Sequence, residues 1–583
     1  MKPTIFLSIC LFCCHVCFSQ VTDEYSELTD TKSYDDQTVW NKLPVTPQIS
    51  WGSTDVRYKK LDVPVISKTT TWKTKAWKGE RVNGQAVVWT KTDMTDVRIT
   101  VSDLTSGASV IPSSAIKPSF VRYVMTDELN KNGRGGCGVR ENKADWDSSM
   151  VADVLYKHEL IAIKANTTQP VWVQVWVPQT VKAGVYKGTL TVSGKDFADL
   201  KLNMEVQVSE RVLPLPKEWA IHLDLWQNPY AVARFHQVPL WSEAHFDAIR
   251  PVMKKLADAG QKVITTSIMH KPWNGQVEDP FESMITKTKK IDGTWSYDYT
   301  VFDKWVEFMM SVGIDRQINC YTLVPWALKY DYIDQATSRM QFIEAKPGEA
   351  AYEDYWGTFL KDFASHLRKK GWFERTTIAM DERQIDAMKE AIKVIRKADP
   401  DFKITLAGNF YAEIEPEIYD YCLAFSHNFP EETKRLREKA GKLSTYYTCC
   451  AEARPNTFTF SPPAEATWIG WHIAEGRYDG YLRWAYNSWT IDPFRDSRFR
   501  SWAAGDCYLM YPFGYSSIRF ERLIEGFQDY EKIRILRNEF ANNKADKQLK
   551  KLDATVALFS AKNIWERNAT DDVAEARKIL NAF

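Results

Sequence analysis

The sequence predicts a multidomain chain of β and then α/β character: an N-terminal β-sandwich, a (β/α)8 barrel of the TIM type, and a C-terminal helical segment. Three observations carry this. Residues 51–212 alternate apolar and polar side chains with a period of two, residues 217–517 alternate strand with helix, and the stiff Leu213-Pro-Leu-Pro216 lies where one rhythm replaces the other. A length of 583 residues suits two or three domains, each with a core of its own.

Met1-Lys2 precede an apolar, cysteine-rich run from Ile5 to Phe18, and the small Ser19 offers a cleavage point. Residues 1–19 are therefore expected to be a signal peptide, with the mature protein exported to a periplasmic or extracellular location. A lipoprotein anchor at Cys17 fits poorly, because His15-Val16 precede it. No other stretch reaches the roughly 18 apolar residues of a membrane span. Residues 20–50 are polar and expected to form a loose lead-in. Four of the ten cysteines fall in the leader, and Cys137, Cys320, Cys422, Cys449, Cys450 and Cys507 are scattered without a CxxC pair. That argues against zinc and implies no cofactor, while any disulfide pairing stays open. With 76 basic and 75 acidic side chains, nothing points to nucleic acid as a partner.

In the expected sandwich, Val97, Ile99 and Val101 alternate with polar residues, and Leu200, Leu202, Met204, Val206 and Val208 do so more cleanly. The run Val171–Val177 suits a strand buried on both faces. Gly133-Arg-Gly135-Gly-Cys-Gly138 matches G-x-G-x-x-G literally. It follows no buried strand and precedes the charged stretch from Arg140 to Asp147, so a loop is expected rather than a nucleotide site.

Barrel strands are expected at 219–226, 262–269, 317–324, 376–380, 402–407, 421–426, 443–449, 481–489 and 506–511. These are nine candidates for eight places, so one is surplus. Helices are expected around 246–259 and 302–312. Another is set by Tyr352, Trp356, Phe359, Phe363 and Leu367 with Gly371 closing it, and a further one by Ile385, Met388, Ile392 and Ile395 with Asp399-Pro400 as its stop. Beyond Ser517 an amphipathic helix carries Phe520, Leu523, Ile524 and Phe527, and the charges there and in the tail 518–583 read most simply as a solvated face.

The centre of the barrel is the strand Thr376–Met380, followed directly by Asp381 and Glu382. In (β/α)8 barrels that end of a strand is where active sites sit. Two adjacent carboxyls raise each other's pKa, which favours one acid beside one anion. The plainer alternative is that both simply open the next helix, where acids suit the helix dipole. Other strand ends bring His222, Asp224, Trp226, His270, Asn409, Tyr411 and Tyr447. With 13% aromatic residues, 23 of them Trp, this rim of aromatics, amides and acids suits a neutral polyol. HExxH, G-x-S-x-G and P-loop motifs are all missing.

Four features together, the Asp381-Glu382 pair, Trp484-Ala-Tyr-Asn-Ser-Trp489 with Asp492-Pro493, Gly505-Asp506 before Tyr511-Pro512, and Arg519-Phe-Glu-Arg-Leu-Ile-Glu-Gly-Phe-Gln-Asp-Tyr530, resemble glycoside hydrolase family 123. The resemblance spans essentially the whole mature chain. It implies an exo-acting β-N-acetylgalactosaminidase that retains configuration by substrate assistance, as in family 20 hexosaminidases. The His-x-Gly-x-Asp-Glu signature of family 20 is replaced here by Thr377-Ile-Ala-Met380 before the pair. Under this resemblance Glu382 is the general acid and base, and Asp381 orients the substrate's acetamide. Tyr447 is the candidate donor to the acetamide oxygen, Trp484 and Trp489 would wall the sugar, and Asn487, Asn409 or Tyr411 would bind hydroxyls. The implied partner is a carbohydrate, terminal β-GalNAc on glycans or glycolipids. The alternatives are a hexosaminidase that also accepts GlcNAc, a catalytically silent glycan-binding protein, and a structural surface protein.

Overall fold

The computed structural model describes residues 26–30, 37–127, 137 and 148–583. The leader and, apart from Cys137, the Gly133–Gly138 loop lie outside the described residues. The lead-in is less loose than its polarity suggests, since Trp40 is buried and Glu27 pairs with Arg122 at 3.0 Å.

Two sheets make the N-terminal sandwich. One runs, in spatial order, Gln48–Gly52, Arg81–Thr90, Thr167–Trp176, Ile116–Thr126 and Ser149–Tyr156; the other runs Thr71–Lys78, Leu200–Val212, Gly184–Lys195, Met94–Val101 and Ile161–Ile163. Leu202, Met204, Val206 and Val208 enter the core between them and meet Val171, Val173 and Val175, so the period of two becomes a buried face. The opposite side of Thr167–Trp176 is buried as well, because the helix Ile518–Asn542 lies across it. Gln174 donates to Glu521, Asn83 Nδ2 to Glu525 at 2.7 Å, and the Arg81 N–H to Gln528 at 2.8 Å.

That packing corrects the expectation of a solvated face. Arg519, Glu521, Arg522, Glu525 and Asp529 are each 2% exposed or less. Arg519 pairs with Asp153, Arg522 with Asp55 and Glu525, and Asp529 with Arg577, so each charge is compensated inside the protein. The helix also lies against Pro463–Glu475 with backbone touching backbone. A Cβ at Gly470 would come within 2.1 Å of the Gly526 carbonyl carbon, and one at Gly526 within 2.5 Å of the Thr467 oxygen. Glycine is what lets these two helices approach.

Eight parallel strands form the barrel: His222–Leu225, Val263–Ser267, Gln317–Tyr321, Thr376–Met380, Lys403–Gly408, Asp420–Ala424, Leu443–Tyr447 and Gly480–Arg483. The ladder is continuous from the second strand round to the first. Between first and second only the bridge Leu223↔Gln261 forms, and side-chain amides complete the seam. Gln261 accepts from the Leu225 N–H at 3.0 Å and donates to the Val263 carbonyl at 2.7 Å, while Gln227 accepts from the Thr265 N–H at 2.9 Å. The surplus candidate is 506–511, which meets the 486–489 segment through a single bridge, Asn487↔Tyr508, and forms no strand. A four-stranded sheet of Thr286–Lys289, Trp295–Asp298, Lys329–Asp334 and Arg339–Glu344, unforeseen in the sequence, is inserted after the second and third strands. Among the described residues no helix is long and apolar enough to cross a membrane.

Candidate active site

The buried run Thr376–Met380 stops at Met380, and the helix Ile385–Ala398 begins five residues on, so Asp381 and Glu382 sit on the turn between them. They open onto a cavity of about 410 Å³ at the carboxyl end of the barrel, with Trp226, Trp273, Trp326, Asn409, Tyr447, Glu452, Trp484 and Trp502 among its walls. Such a volume suits a single sugar ring with its substituents, and aromatic walls suit the apolar faces of that ring.

The two acids have different surroundings. Asp381 is buried; Trp326 Nε1 donates to its Oδ2 at 3.1 Å, and Arg383 Nε lies 3.2 Å from Oδ1. Burial raises the pKa of Asp381, opposed by the Arg383 charge and the Trp326 indole. The Arg383 guanidinium stacks 3.9 Å over the Trp326 ring, so the two groups that hold Asp381 also hold each other. Glu382 is exposed to the cavity, and its partner is the Tyr447 hydroxyl, which donates to Oε1. Burial, then the nearby Glu382 charge, push the Tyr447 phenol well above its ordinary pKa, so it stays a donor. The pair thus provides one carboxylate fixed by a cation and an indole and a second that faces open space.

Of the residues singled out from sequence, Asp381, Glu382, Asn409, Tyr447 and Trp484 share this cavity. Trp484 is fixed by its indole N–H, which donates to Asp506 at 3.1 Å. Asn487, Trp489 and Tyr411 are not brought to it. Asn487 is fully buried and exchanges hydrogen bonds with the backbone of Asn228, at 2.9 and 2.8 Å, which occupies its amide. Trp489 is equally buried, with its indole donating to the Met510 carbonyl at 2.7 Å and its ring edge-on to Phe235. Tyr411 gives its backbone N–H to the Tyr421 hydroxyl and packs its ring on the core. His222 and Asp224 point into the barrel, where His222 meets Asp420 and Asn319 donates to Asp224; burial raises Asp224 to about 7. His270 pairs with Glu282 outside the cavity lining.

Trp326, Arg383 and Glu452 were not foreseen. Arg383 follows the acid pair directly and was the one legible candidate; Trp326 and Glu452 sit in loops without any motif. The loop of Glu452 is pinned on three sides. Asn456 Nδ2 donates to the Cys449 and Glu452 carbonyls at 2.7 Å each, the Cys449 N–H donates to Glu452 Oε2 at 2.8 Å, and Cys450 is disulfide-bonded to Cys137 of the sandwich domain.

Comparison with known proteins gives this cavity its family. Among solved structures, a family 123 glycoside hydrolase from Clostridium perfringens, described for glycolipid glycan hydrolysis, is similar over 92% of this chain and 98% of its own, with 26% identity and a TM-score of 0.81. A family 5 xyloglucanase from Bacteroides ovatus is 9% identical over 82% of this chain and 100% of its own, at a TM-score of 0.30. A family 39 glycoside hydrolase from Bacteroides cellulosilyticus is 10% identical over 74% and 80%, at 0.33. The last two are too distant to bear on fold or chemistry. No curated protein matches the chain. The family model described as Glycoside hydrolase 123, catalytic domain, matches residues 226–536, and that for the Glycoside hydrolase 123 N-terminal domain matches 51–194. The chain, sandwich and barrel together, belongs to glycoside hydrolase family 123.

Proposed function

We propose that this glycoside hydrolase is an exo-acting β-N-acetylgalactosaminidase that removes terminal β-linked GalNAc from glycans or glycolipids by a retaining, substrate-assisted reaction. The observation that carries this reading is the unequal pair at the end of the fourth strand, Asp381 clamped by Trp326 and Arg383 beside Glu382 open to the cavity. The substrate's acetamide oxygen attacks the anomeric carbon while Glu382 protonates the departing oxygen, and Glu382 then takes a proton from the water that opens the oxazoline. Asp381 receives the acetamide N–H and stabilises the positive charge developing on the ring that forms. Tyr447 donates to Glu382 here, so serving the acetamide oxygen requires that bond to be exchanged when the sugar enters. The glycolipid in the reading is borrowed from the Clostridium perfringens relative.

An acetamide nucleophile makes that group indispensable. An aryl β-GalNAc substrate is expected to be hydrolysed, the matching aryl β-galactoside to be essentially inert, and a thiazoline analogue to inhibit competitively. Paired turnover assays that include aryl β-GlcNAc also separate a broad hexosaminidase from a GalNAc enzyme, and binding without turnover would mark a silent lectin. Robust galactoside hydrolysis would need a protein nucleophile and overturn the mechanism.

Asp381 must be ionised for this role, so the charge of Arg383 sets the acid limb of the activity profile. Arg383→Met removes a cation that lowers the pKa of Asp381, and that pKa then rises further. The acid limb of kcat/KM is expected to move to higher pH; an unmoved limb would show that Asp381 does not govern it. We also propose export with loss of residues 1–19. Intact mass of exported protein should place the mature terminus near Gln20, and a retained leader would refute this.

A further inference from the structure

The cavity holds a third carboxylate besides the acid pair. Glu452 lines it and is 7% exposed. Its Oε2 is committed to the Cys449 N–H at 2.8 Å, and among the described residues no cation pairs with it. Asp506, by contrast, is neutralised by Arg483 at 2.6 Å. Burial raises the pKa of Glu452, and the Asp506 charge adds to this. A desolvated carboxylate without a cation, pinned on a cross-linked loop and turned to a cavity, lacks donors that a ligand would bring.

We infer that Glu452 is the specificity-determining residue that accepts a hydrogen bond from the 4-hydroxyl of the terminal sugar, an inference that rests on the reaction proposed above. The argument is stereochemical. Glu382 takes the glycosidic oxygen on C1 and Asp381 the acetamide on C2, so the opposite edge of the ring carries C4, C5 and the 6-hydroxymethyl. The cavity is polarised in the same sense. Trp326 stands with Asp381 at one end, and Glu452 stands at the other with Trp484, whose indole bonds the same Asp506 that acts on Glu452. Glu452 follows the seventh strand, three places round the barrel from the acid pair. An axial 4-hydroxyl lies on the same side of the ring as the 6-hydroxyl, so one carboxylate oxygen can receive both. An equatorial 4-hydroxyl points away, which would make Glu452 the residue that favours the galacto over the gluco configuration.

The test compares aryl β-GalNAc with its 4-deoxy analogue and with aryl β-GlcNAc, for the wild-type chain, Glu452→Gln and Glu452→Ala, with thermal melts to establish folding. A hydrogen bond to a charged acceptor supports a discrimination of roughly 10- to 100-fold. The wild type is expected to prefer GalNAc over the 4-deoxy sugar by that factor in kcat/KM, and both variants to lose most of the preference. A loop-capping role alone would lower kcat/KM equally for all three substrates and leave the ratios intact, which would overturn the inference. So would a wild type that accepts the 4-deoxy sugar within about threefold, a result that needs no variant at all. Azide rescue of Glu452→Ala giving a β-glycosyl azide would instead make Glu452 the nucleophile. A wild type inert on every GalNAc substrate overturns the proposed reaction and this inference together; an active wild type with unchanged ratios overturns the inference alone.

Discussion

Glu382→Gln is expected to lose roughly 10²–10⁴-fold in turnover of substrates with a sugar alkoxide leaving group, the range general acid catalysis supplies. The loss should shrink for oxazoline formation as the leaving group improves, since an activated phenol departs with little protonation. Asp381→Asn should behave differently. The variant keeps a group for the Trp326 N–H but loses the charge facing Arg383, and the acetamide needs that charge whichever group departs. Its defect should be uniform across a series of aryl β-GalNAc substrates of graded leaving-group pKa. Equal leaving-group sensitivity in both variants would reverse or merge the roles, and near-normal rates in both would remove the pair from the chemistry.

Asp153→Ala is expected to be the most damaging single change to stability. Asp153 lies on a sandwich strand with no exposed side-chain surface and gathers Arg57 at 3.1 Å, Arg519 at 3.0 Å and the Tyr511 hydroxyl at 2.7 Å. These come from the N-terminal loop, the C-terminal helix and the end of the barrel. Removing the one anion leaves two buried guanidiniums facing each other, and stripping one partner from a buried ion pair costs about 3–5 kcal/mol. The exposed pair Lys187–Glu205, 3.8 Å apart, is the contrast: Lys187→Ala should cost less than about 1 kcal/mol. Thermal or denaturant unfolding of the two variants side by side measures both, and a small effect at Asp153 would mean that the domains are held together elsewhere.

Asp153 also shows what was legible in the sequence. Strand and helix periodicity is a local property, so the sandwich, eight barrel strands and the main helices could be read from it. The 506–511 run is as β-prone as any of them, yet its backbone bonds to 486–488 through turns, with the Leu509 N–H reaching the Tyr486 carbonyl. Nothing in its own residues tells a strand from a well-packed loop. The charges of Ile518–Asn542 were misjudged for the same reason, because burial of Arg519 or Arg522 depends on Asp153 and Asp55 far away in the chain. The Arg519–Tyr530 motif that carried the family resemblance is therefore a domain joint rather than a substrate contact. In the site, Asp381 and Glu382 stood out because a strand ends there. Asn487 and Trp489 were drawn in by a motif whose amide and indole are spent on backbone, and Trp326 and Glu452 carry no pattern to find.

The bond between Cys137 and Cys450 changes what a cut chain would be. The two residues are 313 positions apart, and the Leu213–Pro216 linker lies between them. Everything from sandwich to seventh strand is thereby a covalent ring, and a single nick in it, at the linker included, opens the ring without releasing a fragment. Under oxidising conditions a clipped molecule would keep its mass, with Glu452 still tethered over the cavity, and would fall into two pieces only when a reductant reaches the disulfide.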